Sequence, residues 1–471
     1  VNTLNKIRIY HQMNASAEGS LYELVARGNK DLFFYKEGGD FIFNNAYEPQ
    51  TPFLEELRRV PPRTSVEFGR AIEFDFDIVG DLMKNPTLLI KLPTWLPPAQ
   101  AATIRKSIIR DASASPQSIT YGYVRGIAYF LFETISFYQD NILLQEFSGD
   151  TLWALSKISG TYGHSFIQSE QTGDHGGTPL EISRNAAPPT LRLELPLIGN
   201  KNGFPQRAAL KHSYRLRCKL RRLEDLVESS DPNATQKPIP WGQEMVQTLQ
   251  SGDLQFKTLD RTSIAPLQIQ LETTQVYLEK DVQTKLENTP TMTRFRRLTE
   301  NKFTQNQLDY SGVNGGGTSS VNRRLDGRHP ASRIMWYFRN MQDVNANRLY
   351  KISTNPEQPY FNTVTLLIAG QTRELPRSPS VWRDVTNFAK EDLDSGREIS
   401  TMNWTLGSLP TNKFTELDVT GSVNFTTADK PTLYIDLAQP GHPSTELFVV
   451  VEGWAEFRTD GKGRAELFSG N

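Results

Sequence analysis

Cysteine is almost missing from this chain. Cys218 is the single one among 471 residues, so no internal disulfide can form and the fold is not a disulfide framework. Synthesis in a reducing compartment is the simple expectation. An excess of one charge is missing as well: 52 Lys and Arg face 53 Asp and Glu, for a formal net charge of −1. A chain built to coat nucleic acid shows a strong basic excess, so direct nucleic-acid binding is not expected. The best apolar stretch, Gly126 to Phe137, is broken by Glu133 and is too short to span a bilayer. The opening residues Val1 to Arg8 hold no apolar core of signal-peptide type, and the expectation is a soluble protein that does not leave the cell by the classical route. Glycine and proline, at 32 and 28 residues, stay near ordinary usage, which excludes collagen-like and low-complexity chains.

What the chain has is alternation. Ile72-Glu73-Phe74-Asp75-Phe76-Asp77-Ile78 sets four apolar side chains against three carboxylates, the pattern of a half-buried strand whose successive side chains point to opposite faces. Leu191 to Leu195, Tyr214 to Leu220, Leu267 to Leu271 and Leu433 to Leu437 repeat it. The same alternation puts Cys218 on an apolar face, as a core thiol rather than a reactive one. Continuous apolar runs at Leu88-Leu89-Ile90, Leu366-Leu367-Ile368 and Leu447 to Val451 fit strands covered on both faces. Helical signals are few: Asp150 to Ile158, with Asp150 as candidate cap, and a further turn at Asp281 to Leu286. Strands interleaved with helices at βαβ spacing are absent. The fold class is all-β with a few short helices.

Three segments have the composition of connectors: residues 168–190, 228–262 and 311–320, the last containing Gly315-Gly316-Gly317. The middle one divides the chain into halves with about eight strand candidates each, which implies two β-sandwiches in tandem. The expected division is an arm at 1–20, a first sandwich at 21–227, a linker at 228–262, a second sandwich at 263–460 and a tail at 461–471.

Reaction chemistry finds little support. The histidines His11, His164, His175, His212, His329 and His442 are scattered, and no HExxH, Cys pair or EF-hand loop accompanies them. Gly312 to Ser320 lacks the lysine of a phosphate loop. Asp394-Ser395-Gly396 has no second copy, and aspartic-protease chemistry needs two carboxylates sharing a proton. A GxSxG elbow is missing. Glu73, Asp75 and Asp77 share one strand face, and a solvated or inter-subunit face explains them better than paired acid–base catalysis. Arg215, Arg217 and Lys219 form a basic strand face that continues into Arg221 and Arg222, and Arg294, Arg296, Arg297, Arg323 and Arg324 add local clusters. These are expected to supply counter-charges for the acidic strand. The triplets beginning at Asn14, Asn233, Asn403 and Asn424 have the form of glycosylation acceptors, and chance is the simpler reading. No catalytic, cofactor-binding or metal-binding residue is assigned.

A resemblance enters at Leu24-Val25-Ala26-Arg27-Gly28-Asn29-Lys30-Asp31 and continues, in register, through Phe43, Tyr47, Thr51, Phe53 and Glu56. These positions are similar to the opening motifs of the major capsid proteins of nucleocytoplasmic large DNA viruses, with Phe41 and Asn44 replacing a Thr and a Lys of the pattern. Phe68-Gly69, Gly80-Asp81-Leu82, Phe147 to Trp153, Leu193 to Leu197, Ala208 to His212, His329-Pro330 with Trp336, and Gly421 to Leu433 resemble later family segments in the family's order. The resemblance spans residues 21 to 457 and implies a divergent member.

It implies a double jelly roll of two eight-stranded sandwiches and a structural, non-enzymatic role in the virion. Such subunits trimerise into pseudo-hexameric capsomers that tile an icosahedral shell assembled in the host cytoplasm. The implied partners are further copies of the chain, minor capsid proteins and an inner membrane, with the arm at 1–20 ordering on the assembled shell. Two alternatives stay open: a minor capsid or scaffold paralogue of the same fold, and a two-jelly-roll glycan-binding protein or amidase-like enzyme.

Overall fold

The computed structural model describes residues 53–76, 79–93, 104–105, 118–119, 121–158, 170–174, 190–198, 203–229, 243–247, 254–258, 266–304, 320–327, 329–352, 359–386, 399–405, 421–425, 431–438 and 445–468. The arm at 1–20, the motif residues before Phe53, Asp77, residues 175–189 and 311–319, Asp394 to Gly396, His11, His164, His175, His442, Asn14 and Asn233 lie outside the described residues.

Alternation becomes strand wherever the sequence shows it. In Ala71–Phe76 (β2) Ile72, Phe74 and Phe76 turn inward, and in Tyr214–Leu220 (β7) Tyr214, Leu216, Cys218 and Leu220 do the same. With Phe53–Val60 (β1), Leu82–Lys91 (β3), Phe132–Gln139 (β4), Ile142–Phe147 (β5), Leu191–Glu194 (β6) and Gln268–Leu278 (β8) they form two four-stranded sheets. The strand orders are β1-β8-β3-β6 and β2-β7-β4-β5, and every pairing is antiparallel. These interleaved orders are those of a jelly roll, in which hairpin-linked strands are dealt alternately to two facing sheets.

The second half repeats the order. Met292–Phe303 (β9), Ser320–Arg324 (β10), Pro330–Asn340 (β11), Phe361–Ile368 (β12), Gln371–Arg377 (β13), Ser400–Asn403 (β14), Thr432–Leu437 (β15) and Thr445–Thr459 (β16) pair as β9-β16-β11-β14 and β10-β15-β12-β13. Each strand thus has a counterpart eight positions earlier. Sequence does not show this repeat, because a jelly roll constrains the placement of apolar residues and not their identity. The β12–β13 hairpin closes through Ala369 and Gly370, both at positive φ (51° and 75°), the geometry that matches the twist of the flanking strands in a two-residue turn.

Four sequence expectations change. Gln268–Leu278, expected in the second sandwich, pairs with β1 and β3, so residues 228–262 connect two strands of the first roll rather than two domains. Alternation identifies a strand without naming its partner, which here lies some 200 residues earlier in the chain. Ala465–Phe468 (β17), expected in a tail, pairs with β16. The helix Gly149–Ile158 (α1) is capped by Ser148, whose Oγ accepts from the Thr151 amide at 3.1 Å, leaving Asp150 free for another task. The turn expected at Asp281 to Leu286 is a longer helix, Lys280–Asn288 (α2).

Two strands of the second roll pack against both apolar cores at once. On β11, Ile334, Trp336 and Phe338 face the core of the second roll, whereas Met335 and Tyr337 join the apolar cluster of the first. On β16, Leu447, Val449 and Val451 face one way, and Phe448 and Val450 the other. The continuous apolar run at Leu447 to Val451 is therefore a strand buried on both faces, as its composition requires. Each such side chain contributes roughly 1.5–3 kcal/mol when fully buried.

Candidate functional site

The acidic and basic strand faces singled out in the sequence meet each other. β2 and β7 are neighbours, with Asp75 opposite Arg215 and Glu73 opposite Arg217. The Glu73 carboxylate lies 3.8 Å from both Arg215 and Arg217, Arg63 reaches Asp75 at 3.4 Å, and Lys219 reaches Glu133 at 2.8 Å. Each acid faces a base, so this exposed ladder sets strand register rather than holding two acids poised against each other. Arg294 pairs with Glu456 at 3.3 Å. Arg297 is half-buried, and burial lowers its pKa.

His212 and His329, the two described histidines, lie apart in the fold. His212 Nδ1 is 2.7 Å from Asp140. His329 is buried, and burial followed by the charge of Arg297 pushes its imidazole down to about 4. Among the described residues no group of three or more His, Cys, Asp or Glu converges on a common point as metal ligands do. The Asn403 side chain caps its own turn, accepting from the Thr405 amide at 2.9 Å and hydroxyl at 2.7 Å.

The densest ionic chemistry lies in the seam between the rolls. Asp150, at the start of α1, contacts Arg221 of the first roll through Oδ2 and Arg339 of β11 through Oδ1, the latter at 2.7 Å. Arg339 reaches on to Glu446 at 3.7 Å, and Lys302 closes the chain at 3.0 Å. The Arg339 guanidinium also stands over three rings, at 4.8 Å from Phe448, 5.3 Å from Tyr337 and 5.8 Å from Phe130. Burial alone would raise the Asp150 carboxyl, but Arg221 and Arg339 outweigh it and hold the group well below the carboxylate range. Burial opposes the charge on Arg339, yet Asp150, Tyr337 and Glu446 raise its pKa further.

Two further nodes flank this one. Glu452 on β16 binds Arg333 at 2.7 Å and Arg296 at 2.8 Å. It lines, with Gln145, Phe147, Pro196 and Leu298, a cavity of about 10 Å³, room for one water. Gln145 Nε2 crosses the seam to the Arg296 carbonyl at 3.2 Å. At the other node Asp174 takes Arg125 at 2.6 Å together with Lys157, while Asn347 of the second roll donates to the carbonyls of Glu224 and Val227 at 2.7 and 2.8 Å.

Sequence reasoning named Asp150 as a cap and Arg221 and Arg296 as cluster members, and it missed Arg333, Arg339, Glu446 and Glu452. The available signal was a charge inside an otherwise apolar strand, as in Trp336-Tyr337-Phe338-Arg339, where a buried charge demands a partner. Chemically the seam is ion-paired. Its charges are neutralised by one another, and what it supplies is a fixed orientation of one roll on the other.

No protein-family model matches the chain, and no curated protein is significantly similar to it in sequence. Solved structures do match. VP54 of PBCV-1, fitted into a reconstruction of the virophage Sputnik, superposes with a TM-score of 0.67 at 13% identity, over 92% of this chain and 100% of that one. The Faustovirus major capsid protein gives 0.60 at 9% identity over 94% of each chain, and a Sputnik virophage chain gives 0.51 at 9% over 93% of each. Identities this low speak for architecture: the chain is a double jelly roll of the kind seen in these viral capsid structures.

Proposed function

We propose that this chain is a structural subunit of an icosahedral viral shell, assembling as a trimer whose six jelly rolls form a pseudo-hexagonal capsomer. The observation that carries the reading is the repeated strand order in two rolls joined across an ion-paired seam. Two equivalent sandwiches held at a fixed angle give a three-fold assembly six similar corners, which a hexagonal tiling requires. The likeness to viral capsid structures over nearly the whole chain supports the same reading, as does a net charge of −1, which lets copies approach without strong self-repulsion.

In this reading the first roll runs from Phe53 to Leu278 and the second from Met292 to Phe468, α2 being the joint. The partners are further copies of the chain, with minor capsid proteins and an inner membrane beneath the shell, and the location is the virion after assembly in the host cytoplasm. An obligate trimer contact of this kind buries on the order of 2,000–5,000 Å². Size-exclusion chromatography with light scattering tests it directly. The expected mass is three times that of one chain, and negative-stain images should show hexagonal outlines with three-fold symmetry. A stable monomer at micromolar concentration overturns the proposal.

A further inference from the structure

β1 is the terminal strand of its sheet, and among the described residues β8 is its one strand partner. From Phe53 to Arg59 the strand is exposed on both faces, with Phe53, Leu54 and Leu57 at 54%, 66% and 59% of full exposure. An open edge of eight residues invites pairing with another chain, and proteins usually block such edges with charged side chains, Lys above all, or with Pro, a bulge or a very short strand. β1 has no Lys, Pro or bulge, only the charges of Glu55, Glu56, Arg58 and Arg59: its sequence is Phe53-Leu54-Glu55-Glu56-Leu57-Arg58-Arg59-Val60 and its register with β8 is unbroken. The other edge strand of this sheet has four residues, and the edge strand β13 carries Pro376.

The charges on β1 do not repel a second copy, because they are self-complementary. Laid antiparallel on itself about Leu57, the strand sets each Glu opposite an Arg on the same face and Leu54 opposite Val60. This is the arrangement that a two-fold contact demands, in which residue i meets j and j meets i. Opposite charges directly across an antiparallel pair stabilise it, and like charges destabilise it.

We propose that the open edge of β1 pairs antiparallel with β1 of a second copy. The register sets Leu57 opposite the partner's Leu57, Glu56 opposite the partner's Arg58 and Glu55 opposite the partner's Arg59. Two four-stranded sheets thereby become one of eight strands, joined by main-chain hydrogen bonds in the manner of strand addition. The contact is two-fold, so it joins neighbouring capsomers rather than building the three-fold one. For that purpose it rests on the shell reading, although its geometry does not.

Cross-linking in the full-length chain tests the register. Leu57→Cys places a thiol on the two-fold axis, and the native Cys218 is buried. Mild oxidation is expected to link L57C into covalent dimers under conditions where the chain associates. Glu55→Cys lies four positions from its own copy, roughly 13 Å at about 3.3 Å per residue, too far for a disulfide, and should stay unlinked. In the L57C background, Glu56→Arg or Arg58→Glu alone should cut dimer yield roughly tenfold, since two like-charge pairs form in each dimer. Mixing E56R/L57C with R58E/L57C, or combining E56R and R58E in one chain, should restore it. The proposal is overturned if the thiol introduced by L57C reacts freely with a maleimide yet forms no dimer. Protection of that introduced thiol in isolated single copies, by the chain's own first 52 residues, overturns it equally. Light scattering on the same samples separates the two readings: trimers without linkage refute the β1 contact alone, and linked dimers without trimers refute the capsomer alone.

Discussion

Asp150 of the first roll and Arg339 of the second meet at 2.7 Å with 6% and 1% of their side chains exposed. The pair ties the start of α1 to β11 across the seam, and Arg221 completes the carboxylate from the other side. Burying such charges is expensive, so the pair is weak evidence for net stability but strong evidence that both members are needed together.

Asp150→Ala is therefore expected to cost about 3–5 kcal/mol, because it takes the carboxylate away from the buried Arg339 guanidinium and from the partly buried Arg221. Arg339→Met alone should cost a similar amount, and the double variant less than the sum, since it leaves no orphaned charge between them. Denaturant unfolding of the four chains gives the coupling energy. A coupling below about 0.5 kcal/mol would show that the two residues do not act as a pair.

Glu73 and Glu452 offer the opposite comparison on two faces of the protein. Glu73 lies in the exposed ladder at 3.8 Å from its arginines, whereas Glu452 is fully enclosed by Arg333 and Arg296. Glu73→Ala should change stability by no more than about 1 kcal/mol, the usual worth of an exposed pair. Glu452→Ala should cost about 3–5 kcal/mol. Equal losses in urea unfolding would contradict this assignment of the two sites.

These two residues also mark how far the sequence was legible. Glu73 stands in strict alternation, so its strand, its outward face and its need for counter-charge could all be read from neighbours two positions away. Glu452 stands in Val449-Val450-Val451-Glu452-Gly453, where periodicity says only that the strand is covered. Its partners come from β9 and β11, more than 100 residues earlier. The fold class and the two-sandwich plan were visible because they depend on local pattern. The seam was not, because strand order and roll-on-roll packing are set by long-range contacts that leave no fixed spacing in the chain. The assignment of β8 failed for the same reason: the polar connector at 228–262 has the composition of a domain linker, yet it joins two strands of one roll.

Cys218 should be silent in the folded chain. Its side chain is fully enclosed on β7, and burial pushes its thiol far above the ordinary range, so neither access nor thiolate is available. An aromatic disulfide reagent in mildly alkaline buffer is expected to titrate no thiol in native protein and one per chain in denaturant. Rapid native labelling would place the residue at the surface and contradict the packing of the first roll.

Glu228 gives the seam a pH dependence of unusual sign. It lies on the three-residue strand Val227–Ser229, is 1% exposed, and is faced by Tyr350, Arg348 and Arg125. Burial outweighs the lowering influence of Tyr350 and the nearby arginines, and the carboxyl ends up raised from 4.5 to about 7. In the unfolded chain the group ionises near its ordinary value, so the protonated fold is favoured below about 4.5. Between 4.5 and 7 the unfolded state gains charge first, and stability falls by about 3 kcal/mol before levelling off above 7. Asp150 runs the other way, losing its contribution only as pH falls below 3.8. Glu228→Gln keeps the shape and removes the titration. It should raise the unfolding free energy at about pH 8 by about 3 kcal/mol and leave it nearly unchanged at about pH 4. Urea melts of both chains across that range check the sign, and an equal effect at both ends would mean that the carboxyl is already ionised at low pH within the fold.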